Sequence, residues 1–178
     1  MNTSPSLPST PGTLFALLRA QRADDEDIAL LRTDGSMTQA LAARFGTVRV
    51  VRTGEGWQQP QAGEALLLGR PHRGGYWCRE IQLRAAGRVR LLARTVVPAD
   101  AQQLQRALKR LGDRPLMDLL FLGRRLRPGA AKVLRRFGSD RDGNLCRATV
   151  FTIHGEPLLL RETLADLAEP LGVIQKPA

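Results

Sequence analysis

The chain has 178 residues, of which 43% are hydrophobic, and this length fits a single domain with one core. No run approaches the roughly 20 consecutive apolar residues that cross a bilayer. The first residues, MNTSPSLPSTPG, lack the basic start and apolar centre of a secretory signal. We therefore expect a cytoplasmic protein with a flexible tail over residues 1–12, one domain over 13–170 and a C-terminal tail over 171–178.

The formal net charge is +10, which is a legitimate hint of nucleic-acid binding. However, the arginines are spread over most of the chain, and aromatic residues, on which bases could stack, make up only 4%. We interpret the densest basic stretch, Arg124 to Arg136, as a solvated face. Nucleic-acid binding stays an alternative that rests on charge alone, and the positive field would also attract an anionic substrate.

The first predicted elements are helical. Residues 13–22 form a short amphipathic stretch, and residues 24–32 begin with the acids DDED, which favour a helix N-terminus. A second helix starts after Ser36, a good N-cap with Gln39 three residues later. The pattern predicts a helix-turn-helix hairpin through Asp34 and Gly35. The backbone amides near Met37 lie at a helix N-terminus, where an anion can bind.

Strand patterns follow. Residues 47–53 alternate as a strand that GEGW is expected to close, and residues 60–75 are rich in Pro and Gly. Two long alternating segments flank Ala86–Gly87, which indicates a hairpin. A helix over about 100–111 and the short apolar piece PLMDLLF come next, and a second hairpin turns at His154–Gly155. Helices first and strands in hairpins predict an α+β domain with one central antiparallel sheet.

The cysteines and histidines do not indicate a metal site. Cys78 and Cys146 each lie in an apolar stretch, so we expect two buried thiols, although a disulfide stays possible. Neither residue has the spacing of a zinc ligand. His72 lies two residues before Gly74 and His154 directly precedes Gly155, and we interpret both as solvated turn residues.

Two charges fall on strand faces that are otherwise apolar. Side chains alternate along a strand, so the Arg79 face also carries Trp77, Ile81 and Leu83, and the Glu162 face carries Leu158, Leu160 and Leu164. A charge in an apolar layer costs several kcal/mol unless it is paired. One hypothesis is a buried structural ion pair between Arg79 and Glu162. The other is a pocket in which Arg79 grips a ligand carboxylate and Glu162 faces the other end.

Three further polar side chains are weaker candidates. Arg94 lies on the opposite face of its strand from Leu91, and Arg147 and Thr149 alternate with Leu145 and Phe151 and could point inward. For each of these arginines a structural or solvated role remains equally open.

Six segments, in order, resemble the chorismate pyruvate-lyase family between about residues 25 and 166. They are LRTDGSMTQAL, GEGW, YWCREIQL, LLARTVVPA, LGDRPLMDLLF and HGEPLLLRETL. The resemblance implies a sheet with helix-turn-helix flaps over a buried ligand site. It also implies loss of pyruvate from chorismate to give 4-hydroxybenzoate, the first committed step of ubiquinone biosynthesis. A monomer with no metal, cofactor, membrane span or obligatory nucleic acid is expected.

The same resemblance assigns roles to four residues. Arg79 would bind the ring carboxylate, with help from the backbone amides of Met37 and Leu116, and Glu162 would lie near the 4-oxygen of the ring. Whether Glu162 donates a proton or only positions the ring stays open. The chain departs from the family pattern at Met117, where glycine is usual, and at Ala148, where a second arginine is common.

A non-catalytic module of the same fold, of the kind that binds effectors in some transcription regulators, is the leading alternative. Such a module normally follows a DNA-binding domain. Here only a short tail and one short helix precede the matching segments.

Overall fold

A computed structural model describes residues 25–61, 63–122, 125–140 and 144–165. The two predicted tails and the amphipathic stretch 13–22 lie outside the described residues. Those residues form five helices, which are α1 (Asp25–Arg32), α2 (Met37–Phe45), α3 (Glu64–Leu67), α4 (Gln102–Leu111) and α5 (Met117–Leu120). The strands are β1 (Arg49–Gln58), β2 (Tyr76–Ala85), β3 (Arg88–Pro98), β4 (Phe121–Leu122), β5 (Arg125–Leu126), β6 (Ala130–Ser139), β7 (Leu145–Ile153) and β8 (Glu156–Leu164).

Six of the strands make one antiparallel sheet in the order β1-β2-β3-β8-β7-β6, and β4 and β5 form a separate ribbon. The predicted α+β class with a central antiparallel sheet is confirmed. In the part of the chain that the structure describes, no helix has the length and apolar character needed to traverse a bilayer.

Both predicted hairpins are confirmed, and their turns have the backbone that a two-residue connection needs. Ala86 and Gly87 have φ of 49° and 75°, and His154 and Gly155 have φ of 50° and 83°. Positive φ at both central residues gives the turn a twist that matches the strands it joins.

Strand β1 differs from its prediction. The glycines of GEGW were expected to end the strand, but it continues to Gln58 across a bulge between Arg52 and Gly54. A Cβ on Gly54 would lie 3.1 Å from the Glu80 carboxylate, and Gly56 has φ of +155°. The glycines therefore allow a bulged strand to pass close to its neighbour rather than closing it.

The basic stretch ending at Arg136 was predicted to be a solvated face, and this is wrong for its second half. Residues from Ala130 form β6, which pairs with β7 at the edge of the sheet. The side chain of Arg135 is only 14% exposed. The long strand was missed because its apolar positions are few and a shift in register interrupts their alternation.

The two faces of the sheet carry different layers. On one face α1, α2, α4 and α5 pack with inward residues such as Ile81, Ala93 and Leu160 to form the larger apolar cluster. On the other face the short α3 covers a smaller cluster around Cys78 and Val96. We call α1, α2 and their turn the first flap, and residues 112–120 the second flap, because both lie over the face of the larger cluster.

Candidate active site

Arg79 lies on β2 beneath the second flap and is 1% exposed. Its Nη2 donates hydrogen bonds of 2.8 Å to the carbonyl oxygens of Gly112 and Arg114. The sequence places it there because the strand period puts it in the same layer as Ile81 and Leu83, both buried. Arg79 therefore fastens the second flap to the sheet.

The guanidinium of Arg79 has spare capacity to bind an anion. Its Nε is buried without a hydrogen-bond partner among the described residues. Burial lowers the pKa of Arg79, and the charge of Glu55 only partly opposes this. A buried cation whose donors are incompletely paired favours an anionic partner, and the planar fork of arginine suits a carboxylate.

Glu162 lies on β8, 3% exposed, and its partner is Arg147 on β7. Arg147 Nε donates to Glu162 Oε2 at 2.5 Å. Arg147 Nη1 donates to the carbonyl oxygens of Leu31 (3.1 Å) and Thr33 (2.6 Å). The hypothesis of an Arg79–Glu162 ion pair is therefore wrong: each residue has its own partners, and Arg147 links Glu162 to the first flap.

The register of the sheet fixes the separation of Arg79 and Glu162. Arg79 is opposite Thr95, Thr95 is opposite Leu160, and Glu162 is two residues further along β8. Two strand spacings of about 4.8 Å and a two-residue rise of about 7 Å put their Cα atoms roughly 12 Å apart. Ala93 and Thr95 lie between them on β3, so the sheet surface between the two charges carries small, buried side chains. A small aromatic acid fits this interval once both side chains extend toward it.

Met37 and Leu116 lie in the helical layer above the same face, 1% and 4% exposed. Met37 is the first residue of α2, whose N-cap Ser36 accepts the amide of Gln39 at 3.3 Å, as predicted. The first amides of a helix have no acceptor within the helix, so the Met37 amide suits an anion. Leu116 immediately precedes α5 in the second flap.

Arg94 has a structural role on the opposite face. It forms ion pairs with Glu64 at 2.9 Å and Glu80 at 2.5 Å, and its Nη1 also donates to Gln58. Burial lowers the pKa of Arg94, but the charge and hydrogen bond of Glu64, together with Cys78 and Glu80, outweigh it, so the pKa is raised. Arg94 and Arg161 border a surface cleft of about 310 Å³ on this face.

Sequence reasoning left two residues of the site without a role. Arg147 could have been paired with Glu162, because counting outward from the two-residue turn at His154–Gly155 brings them opposite each other. Arg135 was missed because its strand was not predicted. Thr149, a weaker candidate for an inward position, is 1% exposed and lies between Leu160 and Arg135 in the sheet.

Comparison with known proteins gives the following similarities. Residues 22–167 match the family model described as chorismate lyase. The chain is 43% identical over 145 residues to a chorismate pyruvate-lyase of Sodalis glossinidius, covering 78% of this chain and 77% of that protein. It is 37% identical over 143 residues to a probable chorismate pyruvate-lyase of Methylococcus capsulatus, covering 72% and 87%.

A solved structure, the effector domain of PhnF from Mycobacterium smegmatis, is similar with a TM-score of 0.42 and 15% identity. The alignment covers 74% of this chain and 89% of that one. This similarity is too low to bear on function.

Proposed function

The chain belongs to the chorismate lyase family, and we propose from that premise that it converts chorismate to 4-hydroxybenzoate and pyruvate. The observation that carries the proposal is the pair of buried charges on one sheet face. Arg79 has a donor, Nε, without a partner among the described residues. Glu162, whose Cα atom the sheet register puts about 12 Å away, is paired with Arg147. We further propose that the enzyme acts as a cytoplasmic monomer at the start of ubiquinone biosynthesis.

In this reaction the bond between ring C3 and the ether oxygen breaks. Hydrogen leaves C4 so that the ring becomes aromatic, and the enolpyruvyl fragment gains a proton to become pyruvate. Aromatisation supplies much of the driving force, so the protein mainly has to orient chorismate and exclude water. We assign the ring carboxylate to Arg79, assisted by the backbone amides of Met37 and Leu116, and the 4-oxygen to Glu162.

We propose that Glu162 acts as an ionised carboxylate that positions the ring, not as a proton donor. An arginine N–H can only donate, so the Glu162 oxygen that meets Arg147 accepts, and the guanidinium charge beside it favours the ionised carboxylate. A carboxylate has about four acceptor positions. It can therefore accept the ring's 4-hydroxyl while it remains bonded to Arg147.

The first test is incubation of the purified protein with chorismate in the presence of a chelator, with pyruvate and 4-hydroxybenzoate assayed together. We expect both products in equal amounts. Absence of both would contradict the enzyme assignment. Tight binding of chorismate without turnover would instead favour a non-catalytic ligand-binding module.

The second test is Arg79→Ala, with Arg84→Ala as the matched control because Arg84 is an exposed arginine on the same strand. Removing a buried, charge-assisted anchor costs about 3–5 kcal/mol. We expect kcat/KM to fall at least about 100-fold and 4-hydroxybenzoate binding to weaken in parallel, with an unchanged circular dichroism spectrum. Near wild-type activity in Arg79→Ala would show that the carboxylate site is elsewhere.

Glu162→Gln distinguishes the two roles of the carboxylate. If Glu162 only positions the ring, the amide oxygen still accepts the 4-hydroxyl and kcat should fall less than about tenfold. General acid catalysis typically contributes about 100- to 10,000-fold. A kcat loss in that range with unchanged chorismate affinity would assign proton transfer to Glu162.

A further inference from the structure

Arg135 on β6 also lies on the site face, and its side chain is only 14% exposed. It is opposite Thr149, which is opposite Leu160 on β8, so Arg135 is in the same cross-strand row as Arg79. Its Nη1 donates to Asp34 Oδ1 in the turn of the first flap at 3.0 Å. Its Nε is buried with no hydrogen-bond partner among the described residues.

The surroundings of Arg135 carry an excess of positive charge. Burial lowers the pKa of Arg135 and the nearby Arg147 lowers it further, while Asp34 and Glu162 oppose these effects. Lys132 also donates to Asp34, at 2.7 Å. Among the residues that the structure describes, Arg135, Arg147 and Lys132 thus face Asp34 and Glu162, which leaves an excess of one positive charge near Glu162.

Chorismate has two carboxylates, and Arg79 accounts for only the one on the ring. The second carboxylate belongs to the enolpyruvyl group, which is attached to the ring carbon next to the one that bears the 4-oxygen. If Glu162 meets the 4-oxygen, the enolpyruvyl carboxylate lies at the same end of the ligand. That end of the site is where the unpartnered Nε of Arg135 and the uncompensated charge are found.

We propose that Arg135 binds the enolpyruvyl carboxylate of chorismate, an inference that rests on the proposed function. Asp34 occupies only Nη1 of the same guanidinium, which leaves Nε for the ligand. The product 4-hydroxybenzoate lacks this carboxylate. Arg135 therefore contributes to the binding of substrate but not of product, whereas Arg79 contributes to both.

The test compares chorismate turnover with 4-hydroxybenzoate binding in Arg135→Met. A hydrogen bond to a charged group contributes about 1.5–3 kcal/mol. We expect kcat/KM for chorismate to fall about 10- to 100-fold, mainly through KM, while the Kd of 4-hydroxybenzoate changes less than about twofold. Arg135→Lys, which keeps the charge, should recover part of the loss. The melting temperature should not fall much, because the Asp34 carboxylate that loses Arg135 is 84% exposed and keeps its ion pair with Lys132.

Two variants separate binding from attachment of the first flap. Lys132→Met removes a bridge to Asp34 and keeps Arg135, and we expect it to change kcat/KM less than threefold. Asp34→Asn weakens the bridge from the flap side and should also change it less than threefold. The proposal is overturned if Asp34→Asn reproduces the Arg135→Met loss, or if Arg135→Met weakens 4-hydroxybenzoate binding as much as chorismate binding.

Failure of the proposed function has a different signature. It would appear as no turnover in the unsubstituted protein, or as undiminished 4-hydroxybenzoate binding in Arg79→Ala. Neither result depends on Arg135.

Discussion

At the scale of single residues, Arg94 and Glu64 make the strongest stability prediction. Their side chains are 9% and 3% exposed, and they pair at 2.9 Å. Arg94→Met would leave the Glu64 carboxylate buried beside no cation, which costs about 3–5 kcal/mol. We expect the free energy of unfolding, measured in urea, to fall by about that amount.

The double variant Arg94→Met, Glu64→Met should recover most of this loss, since replacing a whole buried ion pair by apolar groups is often neutral. Equal instability in the single and double variants would mean that packing around Arg94, rather than the stranded charge, sets the cost. This pair lies on the face away from Arg79, so ligand affinity should change little in the double variant.

Cys78 gives a prediction about pH. It is fully buried, and burial raises the pKa of its thiol to about 11, with Arg94 opposing, from an ordinary value of 9.0. Between these values the folded protein holds the thiol proton more tightly than the unfolded chain does. The stabilising contribution is therefore complete below pH 9 and is lost as the pH rises toward 11.

We expect urea titrations to show a decline in the free energy of unfolding between pH 9 and 11 that is shallower in Cys78→Ala. The thiol should also resist alkylation at pH 8 until the protein is unfolded. Rapid labelling of Cys78 in the native protein would contradict its burial.

At the scale of elements, Arg147 is the buried attachment of the first flap, in addition to the exposed ion pairs of Asp34. It donates to the carbonyls of Leu31 and Thr33 while it pairs with Glu162. Arg147→Met should release the flap, so we expect amide hydrogen exchange over residues 25–45 to accelerate more than exchange in β2 and β3. Uniform acceleration across the sheet would indicate global destabilisation instead.

The double variant Arg147→Met, Glu162→Met separates the two effects of Arg147. It strands no buried charge, so global stability should recover relative to Arg147→Met alone. The flap carbonyls still lack their donor, so exchange over residues 25–45 should stay fast. Recovery of both properties would show that the flap depends on charge balance and not on the hydrogen bonds.

Some of these elements could be predicted from the sequence and others could not. The two hairpins were predictable because Ala86–Gly87 and His154–Gly155 tolerate positive φ between alternating strands. Arg79 and Glu162 were recognisable as inward charges because the strand period is strict. The path of β1 beyond Thr53 depends on the close approach of Gly54 to Glu80, which is a tertiary contact and leaves no local signal.

Strand β6 and Arg135 are features that the sequence pattern did not predict. A sequence rich in arginines predicts a solvated surface. The partial burial of Arg135 arises only when β6 pairs with β7 under the first flap. The ion-pair partners of the inward charges also depend on tertiary structure. One hypothesis paired Arg79 with Glu162 because both side chains were expected to point inward. The order of strands, which puts β3 between them, decided otherwise.

At the scale of the whole molecule, the net charge of +10 predicts a dependence on ionic strength. A positive field raises the local concentration of anions, and added salt screens it over about 8 Å at physiological strength. Chorismate carries two negative charges and 4-hydroxybenzoate carries one. We expect kcat/KM for chorismate to fall more steeply with salt than the affinity for 4-hydroxybenzoate.

Measurements between about 10 mM and 300 mM sodium chloride, with an uncharged osmolyte as control, would test this prediction. Equal slopes for the two ligands would mean that the field of the whole protein does not act on the site. The surface arginines would then have no part in ligand capture.

The pairing of β3 with β8 also determines when the ligand site can form during folding. Residues 91–96 pair with residues 159–164, and among the described strands this ladder is the one that joins the first hairpin, which carries Arg79, to the second, which carries Glu162. Each hairpin forms by closing a short loop, whereas the β3–β8 ladder must close the long segment between the two strands. Closing a long loop costs more conformational entropy, and contacts that are distant in sequence form more slowly. On the ribosome, the edge of β3 therefore stays without a partner until nearly all of the domain has emerged.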